Sequence, residues 1–324
     1  MGKRIRKPRS NTKDFIGYLA MRCATTLVQI TAANLNCWVA RMIGRFIFKR
    51  YHRGRNRAIN NLKASYPDKT DAWILQTARS SFEHLLMMVF DIFKTPQLIT
   101  EKSIKKYFDI DPHEVKDILA HIESQKGIIM ITGHYGNFEA LGYALAATGL
   151  KNNSIGRPID NPYIDNYLVS IRQKMGQTVI SKHGATDEMI DTLAQGKILS
   201  LVADQNGNRK DVFVDFFGRS AATYKSIGLL AMNQDVPIVV GYCRRLHNKY
   251  KFKIGIARFI TPDMWAKHDN PLQWITQEYT TAIEDFVREA PEQYWWLHQR
   301  WKTRPAAERK AAQLTVEAKS NQGS

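Results

Sequence analysis

The 324-residue chain carries 47 Lys and Arg against 30 Asp and Glu, a formal net charge of +17, which taken whole suggests a phosphate-polymer partner. The excess sits at the ends: residues 1–57 hold 14 basic side chains and one acidic, residues 58–299 hold 27 of each, and residues 300–324 hold six basic and two acidic. A neutral body argues against a nucleic-acid enzyme, and three cysteines without a C-x-x-C argue against a disulfide-built secreted domain or a structural zinc site. The 44% apolar content is that of an ordinary globular chain, long enough to bury one sizeable core.

The chain opens on Lys3, Arg4, Arg6, Lys7, Arg9 and Lys13, followed by a mostly apolar stretch over residues 15–48. The uncharged run between Arg22 and Arg41 is near the lower limit for crossing a hydrocarbon core, but Thr25, Thr26, Gln29, Thr31, Asn34 and Asn36 fall inside it. No small-residue cleavage site follows a short apolar run, and Arg6 breaks the N-myristoylation pattern. The stretch reads either as a weak membrane anchor or as an amphipathic helix on an anionic leaflet. A second basic cluster follows, Arg41, Arg45, Lys49, Arg50, Arg53, Arg55 and Arg57. Basic residues on both sides favour lying on the surface over spanning. The expected organisation is a basic, membrane-associating segment over residues 1–50, an α/β domain over 51–305 and a polar tail over 306–324.

Residues 71–93 carry apolar side chains at helical spacing: Trp73, Leu75, Ala78, Phe82, Leu85, Leu86, Val89 and Phe93. From residue 126 the pattern changes. Residues 127–132, 178–181, 197–203, 212–217, 237–243 and 251–257 read as strands; residues 138–148, 163–175, 186–195, 224–234 and 272–289 read as helices. Strands alternating with helices predict a single α/β domain. Its central sheet is expected to be mostly parallel or mixed and flanked by helices, after an N-terminal membrane-associating helix.

The segment richest in chemistry is GIIMITGHYGNFEALG at 127–142. An apolar strand runs into Gly133-His134-Tyr135-Gly136. Asn137 then suits a helix N-cap, and Glu139 suits the first turn. On a straight helix two residues five apart point about 140° from each other. His134 and Glu139 can therefore meet only if His134 sits in the turn, a path the flanking glycines permit. A carboxylate on one imidazole nitrogen fixes the tautomer and leaves the other free to take a proton from a hydroxyl. No Ser or Cys in a glycine elbow lies nearby, which favours direct transfer over a covalent intermediate. Taken alone, the pair is also what a histidine capping a buried turn would look like. No H-E-x-x-H occurs, and no metal site is expected. Asp204 ends the apolar run 198–203, where ligand-facing residues sit in open α/β sheets; it binds an acceptor, supports the site or caps a loop.

Four blocks resemble the lipid A biosynthesis acyltransferases, the late acyltransferases of lauroyl and myristoyl type within the wider H-x4-D/E glycerolipid acyltransferases. They are HYGNFE at 134–139, RPIDNPYID at 157–165, ADQNGNRKDVFVDFFGRSAAT at 203–223 and PEQYWWLHQRWK at 291–302. The resemblance spans residues 50–304. It implies that an acyl chain moves from an acyl carrier protein, or from acyl-CoA, to a hydroxyl of a lipid A precursor. The reaction would need no cofactor and would take place at the cytoplasmic face of a bacterial inner membrane. In that scheme His134 is the general base and Glu139 orients it. Arg157 contacts the oxyanion or an acceptor phosphate, and Asp204 is a substrate-binding residue. Asp215 stands where the family often has proline, and Gln299 where a second arginine is common. These departures leave open the chain length and the acceptor, which in some relatives is a phosphatidylinositol mannoside. A non-catalytic lipid-binding relative would be expected to have lost His134 or Glu139, and both are present.

Overall fold

The structure, a computed structural model, describes residues 11–308 except 112, 114, 115, 117, 119, 122, 123, 125, 148, 151, 182 and 183. The basic residues Lys3 to Arg9 and most of the polar tail lie outside the described residues. The N-terminal part is helical: α1 (Asn11–Ile30), α2 (Ala33–Arg50), α3 (His52–Ser65) and α4 (Asp71–Leu98). The stretch expected as one helix is therefore two. The polar side chains inside it close the turn. Thr31 Oγ1 donates to Leu27 O and Asn36 Oδ1, and Asn36 Nδ2 donates to Val28 O. α2 packs along α4, with Cys37 and Ala40 against Met87. The helix α3 escapes an apolar-spacing reading because its buried residues, Gly54, Ala58, Leu62 and Ser65, include one large apolar side chain. Arg41 and Arg45, counted in the second basic cluster, instead donate to the buried Glu83 carboxylate on α4 at 2.9 and 2.7 Å.

No helix among the described residues is long and apolar enough to cross a membrane. α2 leaves Leu35, Trp38, Met42, Ile43 and Phe46 exposed, within an arc of about 140° at helical spacing. α1 leaves Phe15, Ile16, Leu19, Leu27 and Ile30 exposed, the last at 74%.

Among the described residues, seven strands make one sheet in the order β1-β9-β8-β2-β5-β3-β4. They are β1 (Phe108–Ile110), β2 (Ile128–Thr132), β3 (Asn152–Gly156), β4 (Gln177–Ser181), β5 (Ile198–Val202), β8 (Ile238–Arg245) and β9 (Phe252–Ile260). All neighbours are parallel except the antiparallel pair β8 and β9. β6 (Val212–Asp215) and β7 (Ser220–Thr223) form a separate hairpin, so the expected strand at 212–217 does not join the main sheet. Helices α5 (Phe138–Ala147), α6 (Pro162–Lys174), α7 (Ala185–Ala194), α8 (Ser226–Gln234) and α9 (Pro271–Glu289) complete the α/β body.

β2 is buried at every position, as a strand covered on both faces must be. Ile129 and Ile131 join the cluster built with Ile275, Tyr279, Ile283 and Phe286 of α9, while Ile128 and Met130 pack with Ile198 and Val239 in another. β3 escapes a hydrophobic reading because it begins with two buried asparagines, Asn152 and Asn153, held by side-chain hydrogen bonds. Ser200 Oγ donates to Asn152 Oδ1, and Asn153 Nδ2 donates to Thr192 Oγ1.

Candidate active site

β2 and β5 are parallel neighbours in register, Thr132 opposite Val202, and the N–H of Ala203 continues the ladder to Thr132 O. Their C-terminal ends therefore deliver residues 133–136 and Asp204 side by side. The pairing that results differs from the expected one: the carboxylate on His134 is Asp204. His134 Nδ1 lies 2.7 Å from Asp204 Oδ1, and the His134 backbone N–H donates to Oδ2 at 2.9 Å. Burial opposes ionisation of the Asp204 carboxyl, but the charge interaction and both hydrogen bonds from His134 outweigh it and hold the pKa at about 2. An ionised carboxylate only accepts, so the imidazole proton belongs on Nδ1 and the Nε2 lone pair is free.

Glu139 is where the sequence puts it, in the first turn of α5. Its carboxylate faces α6, accepting from Arg172 Nη2 at 2.6 Å and Nε at 3.1 Å. The expectation that Glu139 orients His134 is thus corrected. Nδ1 is already taken by Asp204, and a guanidinium fork matches a carboxylate better than a single imidazole N–H does. Arg157 follows the end of β3 and is exposed, with no hydrogen bond or ion pair among the described residues; it does not line the cavity that holds His134.

The turn itself is tightly specified. Gly136 has φ +56°, and a Cβ there would meet Cys243 O at 2.0 Å, so only glycine fits. The Gly136 N–H donates to Gln293 O and the Asn137 N–H to Cys243 O. Asn137 Oδ1 accepts from the Ala140 N–H, the N-cap bond expected of it.

His134 lines a cavity of about 210 Å³ together with Gly136, Phe138, Gln293, Tyr294 and Trp295, and with Ser81, His84, Leu85 and Met88 of α4. Spacing three, four and seven puts those last four on one stripe of the helix. The His134 ring packs edge-on to Phe138 at 5.3 Å between centroids, against Trp295 at 4.9 Å and nearly parallel to His298 at 6.2 Å. His298 Nε2 accepts from the Asn206 N–H, and burial lowers its pKa. Arg300, also buried, fixes the loop after Asp204 by donating to Gln205 O and Ala222 O. Trp295, His298, Arg300 and Arg172 are neighbours of the site that sequence reasoning left without a role there, although the first three lie in the closing aromatic block.

Beneath the turn lies a buried ion pair. Asp91 Oδ2 on α4 bonds Arg245 Nη2 at the end of β8 and accepts from Asn137 Nδ2 at 2.7 Å. Arg245 Nη1 donates to Lys249 O at 2.7 Å, and Gln293 clamps the Arg245 backbone N–H and C=O. Asp91→Ala would leave Arg245 charged, buried and short of its carboxylate. The expected loss is about 3–5 kcal/mol of folding stability, read as a lower denaturation midpoint in urea.

A histidine backed by a buried carboxylate, at strand C-termini and on the wall of a largely apolar cavity, is an arrangement capable of general-base chemistry. The sequence model of the bacterial lipid A biosynthesis acyltransferases matches residues 3–303, and the chain belongs to that family. It is 26% identical to a lipid A biosynthesis acyltransferase of Haemophilus influenzae, over 82% of this chain and 81% of that one. It is 24% identical to the lipid A biosynthesis lauroyltransferase of Escherichia coli K12, over 84% and 85% of the two chains. It is also 24% identical to the myristoyltransferase of the same organism, over 82% and 80%. The protein is an acyltransferase.

Proposed function

We propose that the protein transfers an acyl chain from an acyl carrier protein thioester to a hydroxyl of a lipid A precursor, with His134 as general base. The observation that carries this reading is the 2.7 Å contact between His134 Nδ1 and the ionised, buried Asp204. His134 Nε2 takes the proton of the acceptor hydroxyl as its oxygen attacks the thioester carbonyl carbon. Asp204 holds the tautomer and offsets the charge of the imidazolium. The tetrahedral intermediate then expels the thiolate: the new C–O bond is kept, the C–S bond breaks, and the imidazolium returns its proton to sulfur. The developing oxyanion needs donors. The indole N–H of Trp295, buried and without a hydrogen-bond partner among the described residues, is one on the cavity wall.

Glu139 acts through Arg172, holding α5 against α6. Arg157, exposed and without a hydrogen bond or ion pair among the described residues, is placed to meet an acceptor phosphate. The apolar stripes of α1 and α2, with the basic N-terminal residues, suit a helical pair lying on an anionic leaflet at the cytoplasmic face of the inner membrane. The test combines both claims. Purified protein, acyl carrier protein thioester and a lipid A precursor are mixed with anionic or zwitterionic vesicles, and products are weighed by mass spectrometry. The expected result is one acyl mass gained, faster on anionic vesicles, with that advantage falling as salt rises. No mass gain on any vesicle contradicts the reading.

A further inference from the structure

The floor of the His134 cavity holds a second histidine that the mechanism does not use. Three polar side chains are buried there: Ser81, His84 and Gln293. Ser81 Oγ donates to Ala78 O, and Gln293 is satisfied at both ends by the Arg245 backbone. His84 differs from these two: its Nε2 is buried without a hydrogen-bond partner among the described residues, as are Tyr294 Oη and Trp295 Nε1 on the same cavity. It belongs to the same stripe of α4 as Leu85 and Met88, and both it and His134 line the cavity.

A buried donor or acceptor left unpaired is costly, and each such group in a folded protein calls for an explanation. The surroundings restrict what could satisfy it. The remaining walls are Leu85, Met88, Phe138, Tyr294 and Trp295, and no Lys or Arg lines the cavity. Burial, with Arg245 second, pushes the His84 pKa down to about 3, so the ring is neutral at neutral pH. An anionic group would find no counter-charge here, and a plain methylene chain would leave the imidazole unpaired. A hydroxyl both donates and accepts, and so suits a neutral imidazole in either tautomer.

We infer that His84 is a specificity-determining contact that hydrogen-bonds a hydroxyl carried into the cavity by a substrate. The inference rests on the acyl-transfer reading above. The hydroxyl has two possible sources, a hydroxylated acyl chain on the donor or a second hydroxyl beside the acylated one on the acceptor.

The test is a donor and acceptor series with the full-length protein. Dodecanoyl, 2-hydroxydodecanoyl and 3-hydroxydodecanoyl acyl carrier protein are compared on one lipid A precursor, and then one donor on that precursor and a deoxy analogue lacking the neighbouring hydroxyl. Wild type is expected to favour a hydroxylated partner by about 10–100-fold in kcat/KM. His84→Leu should level that ratio, and His84→Gln, which keeps a hydrogen-bonding end, should retain part of it. The arm in which the ratio collapses identifies the source. A wild-type enzyme indifferent to hydroxyls in both arms overturns the inference, even if neither variant folds, and so does a preference that survives in His84→Leu. Transfer of none of the donors by wild type overturns the acyl-transfer reading itself, and this inference with it.

Discussion

His134→Ala is expected to lower the rate of acyl transfer by about 10²–10⁴-fold, the usual contribution of a positioned general base, with the fold retained. The substitution removes the nitrogen proposed to take the acceptor's proton but keeps the backbone N–H that donates to Asp204 Oδ2, so the buried carboxylate is not stripped of every partner. The loss should appear in kcat as well as kcat/KM, because proton removal happens in the transition state rather than on binding. Rates come from product mass against time, and circular dichroism of the variant confirms that it folds. A variant at full rate would remove His134 from the chemistry.

The second large effect separates the two carboxylates near the motif. Asp204→Asn keeps the shape of the side chain but removes the charge that steadies the imidazolium, and its amide can present an N–H where Nδ1 needs an acceptor. Where a buried aspartate orients a catalytic histidine in this way, neutralising it costs up to about 10⁴-fold, and a loss of about 10²–10⁴-fold is expected here. Glu139→Gln should be mild by comparison. It removes the charge from a largely buried pair with Arg172, the two side chains being 13% and 24% exposed, but its amide oxygen can still accept from the guanidinium and the His134–Asp204 contact is left in place. Equal rates for Asp204→Asn and wild type, with a collapse in Glu139→Gln, would return the orienting role to Glu139.

That comparison marks how far the sequence could be read. The α/β class, the apolar strand at 128–132, the helix beginning at Phe138 and the place of His134 in the turn between them all follow from local patterns of apolar spacing, glycine and capping. The partner of His134 does not. Asp204 is 70 residues away and reaches the imidazole only because β5 lies beside β2 in parallel register, a fact about strand order that no local window contains. Glu139 is closer along the chain, but the first turn of α5 aims it at α6. β3 is illegible in sequence because its two buried residues, Asn152 and Asn153, are polar and adjacent rather than apolar and alternating. The N-terminal stretch reads as one helix in sequence, but polar side chains at Thr31 and Asn36 bond back to the chain and close a turn between two. The charge count had the same weakness: it places Arg41 and Arg45 in a basic cluster, whereas Glu83 claims both.

General-base action by His134 requires that Asp204 hold the ring proton at Nδ1 and leave Nε2 free, and nitrogen-15 NMR of the histidine rings measures that directly. The expected spectrum of the wild-type protein has a His134 signal of the Nδ1–H tautomer, with a strongly deshielded bridging proton that disappears in Asp204→Asn and persists in Glu139→Gln. A His134 ring protonated at Nε2, or a bridging proton that survives Asp204→Asn and is lost in Glu139→Gln, would contradict the account.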